Sequence, residues 1–157
     1  MGARVPESDK FYTFKGYAMM ENSMVTASME DYLEMIYRIH SADEAVRIGS
    51  LAESLNVKPS SATKMVGSLK EHGLVLSEKY GYITLTDLGK ELGRYLVFRH
   101  DILHSFLCHI NRSQNELEQV EKIEHFFNKE TVLNIQKLLE KQQHPARCGS
   151  AECCCMR

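Results

Sequence analysis

The sequence lacks the features that would place it in a membrane, a repeat array or a disulfide-bonded scaffold. It has no apolar run near the ~18 residues that a membrane-spanning helix requires, and its start lacks the hydrophobic stretch of a signal peptide. Repeats and low-complexity tracts are also absent. Its five cysteines are odd in number, and four of them crowd the last ten residues. Because a disulfide framework would distribute its cysteines through the fold, we expect reduced thiols and a cytoplasmic protein. Because no apolar run is long enough to span a membrane, we expect the protein to be soluble and to have no membrane partner.

An excess of basic charge, common in DNA-binding proteins, is missing from the chain as a whole, whose formal net charge is −2. The charge is nevertheless unevenly distributed. Residues 47–99 carry eight Lys and Arg against five Asp and Glu, whereas residues 1–46 carry four against eight. The middle of the chain is therefore the part suited to a polyanionic partner. With 157 residues and 43% hydrophobic content, the chain can bury the core of one domain or of two very small ones.

The stretch RIGSLAESLNVKPSSATKMVGSLKEHGLV, residues 47–75, predicts two helices joined by a short turn. Apolar residues at helical spacing form the first helix, the segment NVKP interrupts the pattern, and Pro59 opens the second helix. Gly73 is expected to end that helix. Residues 74–86 follow as two short alternating segments around KYG, which is typical of a β-hairpin. Together these elements predict a winged helix-turn-helix.

Helical patterns flank this unit on both sides. The segment SMEDYLEMIYRIH, residues 28–40, predicts a preceding helix with Ser28 as its N-cap. After the hairpin, residues 87–110 predict a long helix capped by Thr86. We therefore expect four parts: an irregular aromatic N-terminal arm (1–26), a winged helix-turn-helix domain (27–95), a helical domain (96–143) and a disordered cysteine-rich tail (144–157).

Two further helical patterns complete the second domain. The segment SQNELEQVEKIEHFF begins with Ser113 and Glu116 in the spacing of a capping box, which predicts a helix starting there. Residues 129–142 form a last amphipathic pattern. Part of the apolar surface of these helices closes the core of one chain, and the remainder is available to a second copy. We therefore expect a homodimer, because a single winged helix reads too few bases for specificity.

The second helix of the helix-turn-helix pair exposes hydroxyl and ammonium groups opposite its apolar stripe. In a helix-turn-helix those positions face the major groove, where such groups reach phosphates and base edges. The candidate DNA-contacting residues are Arg47, Lys58, Pro59, Ser60, Ser61, Thr63, Lys64, Lys70, Lys79 and Tyr80. The alternative is a plain three-helix fragment with a solvated face. The basic charge, the interrupting turn and the hairpin coincide, which favours double-stranded DNA as the partner.

A cluster of acidic residues and a histidine interrupts the helical pattern in QVEKIEHFF, residues 119–127. Glu121, Glu124 and His125 stand at i, i+3 and i+4, the spacing that places side chains on one side of a helix. A solvated surface does not need such convergence, whereas a metal ion does.

Other potential donors lie far away in the sequence. On the first helix Asp31 and Glu34 form an i, i+3 pair, and Glu30 is expected to point elsewhere. Taken alone, this pair has an ordinary explanation, because helix starts favour carboxylates, and His100 alone is more often a packed histidine than a ligand. Combined with the 119–127 cluster, these residues would supply six oxygen and nitrogen donors from three helices. Four buried carboxylates so close together would repel one another without a cation, which predicts a divalent metal site.

Five stretches, in this order, resemble the diphtheria-toxin-repressor family of metal-dependent transcription regulators: SMEDYLEMIYRI, PSSATKMVGSLKEHGLV, EKYGYITLTDLGKELG, RHDILHSFL and VEKIEHFF. They are most similar to the branch of the manganese transport regulators, which lack the SH3-like domain of the larger members. The resemblance covers roughly residues 27–142, and the aromatic arm and the cysteine-rich tail have no counterpart in it. It implies a mainly α fold, in which an N-terminal winged helix-turn-helix precedes an α-helical metal-binding and dimerisation domain, with no SH3-like domain.

The resemblance also implies a binuclear manganese site. In that branch the ligands are an Asp and a Glu of the first helix, a His of the helix after the wing, and a Glu-x-x-Glu-His run. The matching residues here are Asp31, Glu34, His100, Glu121, Glu124 and His125. Iron-responsive members carry Met and Cys at the places of Asp31 and Glu121, and carboxylates there favour the harder Mn²⁺. Mn²⁺ is thus the implied cofactor, with Fe²⁺, Zn²⁺ or Cd²⁺ able to substitute.

The function implied by the resemblance is that of a Mn²⁺-dependent regulator, which binds a palindromic operator as a homodimer and represses metal-uptake genes when metal is bound. An iron-responsive regulator of the same family and a metal-independent winged-helix regulator are the alternatives. We do not expect an enzyme or a small organic substrate. The run EKIEH is similar to the His-x-x-Glu-His motif of inverted zinc peptidases, but it has Glu121 where that motif needs a His ligand.

Overall fold

The structure, a computed structural model, describes residues 25–42, 44–78 and 81–143. Residues 1–24 of the predicted arm, the predicted tail and two candidate DNA contacts, Lys79 and Tyr80, lie outside the described residues. In chain order the described elements are α1 (Ala27–Ser41), α2 (Ile48–Ser54), α3 (Pro59–Glu71), β1 (Val75–Ser77), β2 (Ile83–Leu85), α4 (Asp87–Asn111), α5 (Leu117–Ile123), a single 3₁₀ turn (Glu124–Phe126) and α6 (Lys129–Gln143).

Helix α1 begins slightly earlier than predicted, and the assignment of Ser28 as its N-cap is wrong. Thr26 has an extended backbone (φ −83°, ψ 159°), and its hydroxyl oxygen accepts a hydrogen bond from the backbone N of Met29 at 3.3 Å. Both Thr and Ser are good caps, so local propensity does not choose between them. The earlier start places Met29 inside the helix, where it is buried one turn before Tyr32 and Leu33.

Helices α2 and α3 form the predicted helix-turn-helix. The turn between them passes through Asn56, whose φ of +52° lies in the left-handed region that Asn tolerates better than most residues. Pro59 is the first residue of α3, as predicted, because its missing N–H costs nothing at that position. The helix ends at Glu71, and Gly73 follows with a φ of +69°.

The predicted hairpin follows α3. Strand β1 pairs antiparallel with β2, so that Val75 lies opposite Leu85 and Ser77 opposite Ile83. The backbone N of Ile83 also donates to the carbonyl of Val46 at 2.9 Å, which ties the wing to the segment before α2. The winged helix-turn-helix prediction is confirmed.

Two hydrophobic cores share one long helix. The first core is formed by α1, α2, α3, the hairpin and the first half of α4, with Leu96 as its last fully buried α4 residue. The second core begins at Leu103 of α4 and includes Val120 of α5 and Ile135 of α6. Helix α4 is continuous over 25 residues, so the expected domain boundary between residues 95 and 96 falls inside it. Between the two cores, α4 carries the buried polar residues Arg99 and His100.

Two glycines allow α4 to approach its neighbours closely. A Cβ atom at Gly93 would lie 2.8 Å from Cβ of Tyr37 on α1, and one at Gly89 would lie 1.9 Å from the carbonyl oxygen of Leu74. Helix α4 is thus held directly against α1 and against the residue before β1. This packing sets where His100, further along α4, lies relative to α1.

Helix α5 differs from the prediction at both ends. It begins at Leu117 rather than Ser113, because the Ser113 hydroxyl donates to the side chain of Glu116 at 2.6 Å instead of capping the backbone. The side-chain Oδ1 of Asn115 accepts a hydrogen bond from the backbone N of Leu117, the first residue of the helix, at 3.0 Å. The α-helix ends at Ile123, and the chain tightens into the 3₁₀ turn. Glu121 therefore lies on a different element from Glu124 and His125.

Candidate metal centre

The six predicted metal ligands converge between the two cores, at the level of the buried residues Arg99 and His100 of α4. We call this region the polar layer. Helix α1 contributes Asp31 and Glu34, α4 contributes His100, and α5 with the 3₁₀ turn contributes the remaining three. Two groups of donor atoms stand out among the described residues. One combines Asp31, Glu124 and His125, the other combines Glu34, His100 and Glu124, and the donor atoms of each group lie within 4.8 Å of one another. Glu124 belongs to both groups.

The individual distances show how the segments meet. His125 Nε2 lies 2.9 Å from Asp31 Oδ1, and His100 Nδ1 donates to Glu124 Oε2 at 3.0 Å. His100 Nδ1 also lies 3.8 Å from Glu34 Oε1 and 3.7 Å from Glu121 Oε1. Glu121 is thus adjacent to the second group without belonging to either.

The expectation of four buried carboxylates is wrong. Glu34 and Glu124 are buried, with 7% and 1% of their surface exposed. The side chains of Asp31 and Glu121 are 39% and 59% exposed. Asp31 and Glu121 lie at the edge of the polar layer, so the site is open to solvent on one side. A cavity of about 250 Å³ adjoins this open side and is lined by Asp31, Glu34 and Glu121 among others.

Electrostatics inside the site reflect the gathering of like charges. Burial and then the charge of Glu124 raise the pKa of Glu34, even though Arg38 donates to its Oε1 at 2.8 Å. Burial and the charge of Glu124 likewise raise the pKa of Glu121. The hydrogen bond to Glu124 raises the pKa of His100. Hydrogen bonds to Asp31 and Glu30 raise the pKa of His125 to about 10. Burial and like charge thus disfavour the ionised form of Glu34 and Glu121, whereas hydrogen bonds to carboxylates favour the protonated form of the two histidines.

The residues present fit a divalent cation. Carboxylate oxygens and imidazole nitrogens make up both donor groups, and no thiolate takes part, which suits Mn²⁺, Fe²⁺ and Zn²⁺ better than soft ions. A divalent cation would also offset the burial and the repulsion from Glu124 that together raise the pKa values of Glu34 and Glu121. Two adjacent groups that share one carboxylate are compatible with two ions.

Glu30 was expected to point elsewhere, and this expectation is wrong. Its Oε2 accepts a hydrogen bond from His125 Nδ1 at 2.7 Å and another from Arg99 Nη2 at 2.7 Å. The correct signal was in the sequence, because Glu30 and Glu34 are i, i+4 neighbours and share a helix face.

Sequence reasoning also missed Arg99, whose side chain is only 4% exposed. Its position was readable from helical spacing, because it stands three residues after Leu96 and four before Leu103, on the apolar stripe of α4. A charged residue on such a stripe is buried, and a buried charge needs a partner.

The predicted DNA-contacting surface is accessible. The described candidates are all exposed: Arg47, Lys58, Pro59, Ser60, Ser61, Thr63, Lys64 and Lys70. Two of them also support the wing. Arg47 donates to the Tyr82 hydroxyl at 2.7 Å and lies over its ring, and Lys70 donates to the carbonyl of Ser77 at 2.9 Å. Among the described helices, none is both long and apolar enough to cross a membrane.

Solved structures of similar architecture include metal-responsive regulators. The manganese regulator SloR is 29% identical, with a TM-score of 0.64, over 71% of this chain and 53% of that chain. ScaR with bound Zn²⁺ is 28% identical, with a TM-score of 0.60, over 71% of this chain and 53% of that chain. This chain therefore spans about half the length of these two structures. A hypothetical protein from Sulfolobus solfataricus, 24% identical with a TM-score of 0.55, covers 74% of this chain and 91% of that chain and shares the fold.

Two protein-family models match the chain and together span most of it. Residues 24–83 match the N-terminal DNA-binding domain of iron-dependent repressors, and residues 86–151 match their metal-binding and dimerisation domain. The predicted mainly α fold, a winged helix-turn-helix followed by a helical metal-binding and dimerisation domain, is thus confirmed. The chain belongs to the iron-dependent repressor family, which is the diphtheria-toxin-repressor family that its motifs resemble.

Proposed function

We propose that this chain is a metal-dependent transcriptional regulator that acts in the cytoplasm, binds operator DNA through its winged helix and responds chiefly to Mn²⁺. The observation that carries the proposal is the position of the donor groups. The donor groups lie between the first core, which includes the winged helix, and the second core. Glu124 belongs to both donor groups. A change at this layer therefore acts on the junction between the two parts of the protein.

The mechanism follows from the charges on the three segments. Glu34 and Glu124 are buried close together, and their mutual repulsion loosens the junction of α1, α4 and the 3₁₀ turn. A divalent cation would supply, when bound, positive charge beyond that which Arg38 gives Glu34 and His100 gives Glu124. Asp31 and Glu34 of α1 would hold it together with His100, Glu124 and His125, and would so fasten α1 to α4 and the 3₁₀ turn. Since α1 packs into the core of the winged helix, the recognition helix α3 is held in one orientation.

DNA binding requires this orientation in a dimer. We propose that two copies associate through the second domain, which matches a dimerisation domain, and bind a palindromic operator. Half-sites of such operators lie about one helical turn, ~34 Å, apart, so only one separation of the two α3 helices is productive. Coupling of this kind typically amounts to ~1–3 kcal/mol and is reciprocal, so DNA should also tighten metal binding. We propose that the bound dimer represses metal-uptake genes.

Mn²⁺ is the proposed effector because carboxylates occupy positions 31 and 121. SloR is described as a manganese regulator, and ScaR as a manganese-activated repressor that has also been seen with Zn²⁺ and Cd²⁺. ScaR can thus hold more than one kind of divalent ion. An iron-responsive regulator is the second candidate. The metallopeptidase alternative lacks support, because both family models describe parts of a repressor.

The test compares ions on the same protein. Calorimetry should show saturable uptake of Mn²⁺, and fluorescence anisotropy with a palindromic operator of the family type should show DNA binding that depends on it. We expect Mn²⁺ to activate at lower free concentration than Fe²⁺, while Zn²⁺ binds but activates less. Stronger activation by Fe²⁺ would support the second candidate. DNA binding unchanged by chelation would contradict metal dependence altogether.

Replacing Lys64 with alanine tests the division of labour between the two parts. Lys64 is exposed on α3 and has no role in the donor groups. If it contacts a phosphate, its loss should weaken DNA binding similarly for all sequences and reduce the salt slope by roughly 0.9 for each Lys64 in the complex. The affinity of the free protein for Mn²⁺ should stay unchanged. Lys137→Ala, which removes an exposed lysine of α6, is the matched control and should leave the salt slope as it is.

A further inference from the structure

Glu30 lies beside the donor groups but is not one of the six predicted ligands. Glu30 Oε2 accepts two hydrogen bonds, from Arg99 Nη2 and from His125 Nδ1, each at 2.7 Å. The three residues come from α1, α4 and the 3₁₀ turn, the same segments that supply the donors. Arg99 Nη2 and His125 Nδ1 lie 3.3 Å apart. Because a guanidinium can only donate and a carboxylate can only accept, both nitrogens direct their protons at Glu30 rather than at each other.

The surroundings make this arrangement costly to break. The side chains of Arg99 and His125 are 4% and 13% exposed, so neither can exchange Glu30 freely for water. Arg99 Nε is buried and, within the described part of the chain, has no hydrogen-bond partner, so the guanidinium depends on Glu30 for its close ion pair. Glu124 Oε1 is further away, 4.0 Å from Arg99 Nη2. Burial alone would raise the pKa of Glu30, but the bonds to His125 and Arg99 outweigh it, and the net pKa is lowered.

We infer that Glu30 is a positioning residue for His125: it engages Nδ1 and so turns Nε2 towards Asp31 and Glu124, while Arg99 anchors Glu30. The inference rests on the proposed metal-dependent function. A histidine that binds a metal through one ring nitrogen commonly donates its other N–H to a carboxylate, which fixes both the tautomer and the orientation of the ring. Here Nδ1 lies 2.7 Å from Glu30 and Nε2 lies 2.9 Å from Asp31, on the side of the first donor group.

Affinity for Mn²⁺ measures this role directly. Calorimetry on the full chain should show that Glu30→Ala lowers Mn²⁺ affinity about 10- to 100-fold, the usual effect of removing a partner of a liganding histidine. Glu30→Gln keeps an oxygen that can accept from Nδ1, so its loss should be smaller. Glu91→Gln makes the same chemical change at an exposed position of α4 and should bind Mn²⁺ like the unaltered protein. Melting of the metal-free variants, followed by circular dichroism, checks that each remains folded.

A spectroscopic measurement separates positioning from general stabilisation. In the protein loaded with diamagnetic Zn²⁺, ¹H–¹⁵N spectra should show a slowly exchanging Nδ1 proton on His125, assigned by its absence in His125→Gln. This resonance should persist in Glu30→Gln and in Glu91→Gln and disappear in Glu30→Ala. A merely structural ion pair between Glu30 and Arg99 would leave the His125 ring unchanged.

The possible results distinguish failure of the positioning role of Glu30 from failure of the proposed metal-dependent function. If Glu30→Ala binds Mn²⁺ as tightly as the unaltered protein and retains the Nδ1 proton, the positioning role is refuted while the metal site stands. If the unaltered protein takes up no Mn²⁺ or Zn²⁺, both the function and the inference fail. Should Glu30→Ala not fold, Glu30→Gln must still show a Mn²⁺ affinity below that of Glu91→Gln, and equal affinities would overturn the inference.

Discussion

Replacing Glu124 with glutamine should abolish metal-dependent DNA binding and leave the helices intact. Glu124 is the residue common to both donor groups, so its loss affects both at once. Glutamine has the same shape, and its amide oxygen can still accept the hydrogen bond that His100 donates, so the packing of this fully buried position should survive. A neutral amide is nevertheless a much poorer partner for a divalent cation than a carboxylate.

The expected loss of Mn²⁺ affinity exceeds about 100-fold, since changes to residues that only support a ligand already cost 10- to 100-fold. Calorimetry with Mn²⁺ and anisotropy with operator DNA would measure the two effects, and circular dichroism would verify the helices. Glu118→Gln is the matched control, because Glu118 is exposed on α5 and pairs with Lys122 outside the donor groups. An unchanged response to Mn²⁺ in Glu124→Gln would rule out this site as the metal sensor.

Replacing Gly89 with alanine should strongly destabilise the fold. The added Cβ would lie 1.9 Å from the carbonyl oxygen of Leu74. That oxygen cannot easily yield, because it accepts hydrogen bonds from both the backbone N and the hydroxyl of Thr86, at 3.1 Å each. Overpacking against side chains typically costs 1–3 kcal/mol, and a clash with a held backbone atom should cost about 3 kcal/mol or more. Chemical denaturation of the metal-free protein would measure the free energy of unfolding.

Gly67→Ala is the control, and it should change the free energy of unfolding in the opposite direction. Gly67 is exposed within α3, and a Cβ there would meet no atom within 4 Å. Because alanine loses less conformational entropy than glycine in a helix, this change should stabilise the protein by about 0.5–1 kcal/mol. Similar free energies for the two variants would contradict the tight packing of α4 against the segment before β1.

Local patterns were sufficient for most of the secondary structure. Helical spacing predicted α1 and α4, Pro59 and Gly73 marked the two ends of α3, and alternation around KYG predicted the hairpin. The errors were local as well. Ser28 and Ser113 are plausible caps, but Thr26 begins α1, and Ser113 bonds to the side chain of Glu116. A capping preference shared by several nearby residues does not decide which of them starts the helix.

By itself, the sequence determined which residues could serve as donors, because carboxylates and imidazoles at helical spacing are readable within a few residues. Only the tertiary structure decided how they meet: that Glu124 is shared, that Asp31 and Glu121 remain accessible, and that the elements close around Arg99. Glu30 meets Arg99 across 69 residues and His125 across 95. Such contacts depend on how α1 packs against α4, and that packing is set by the two cores on either side of the polar layer rather than by any local preference.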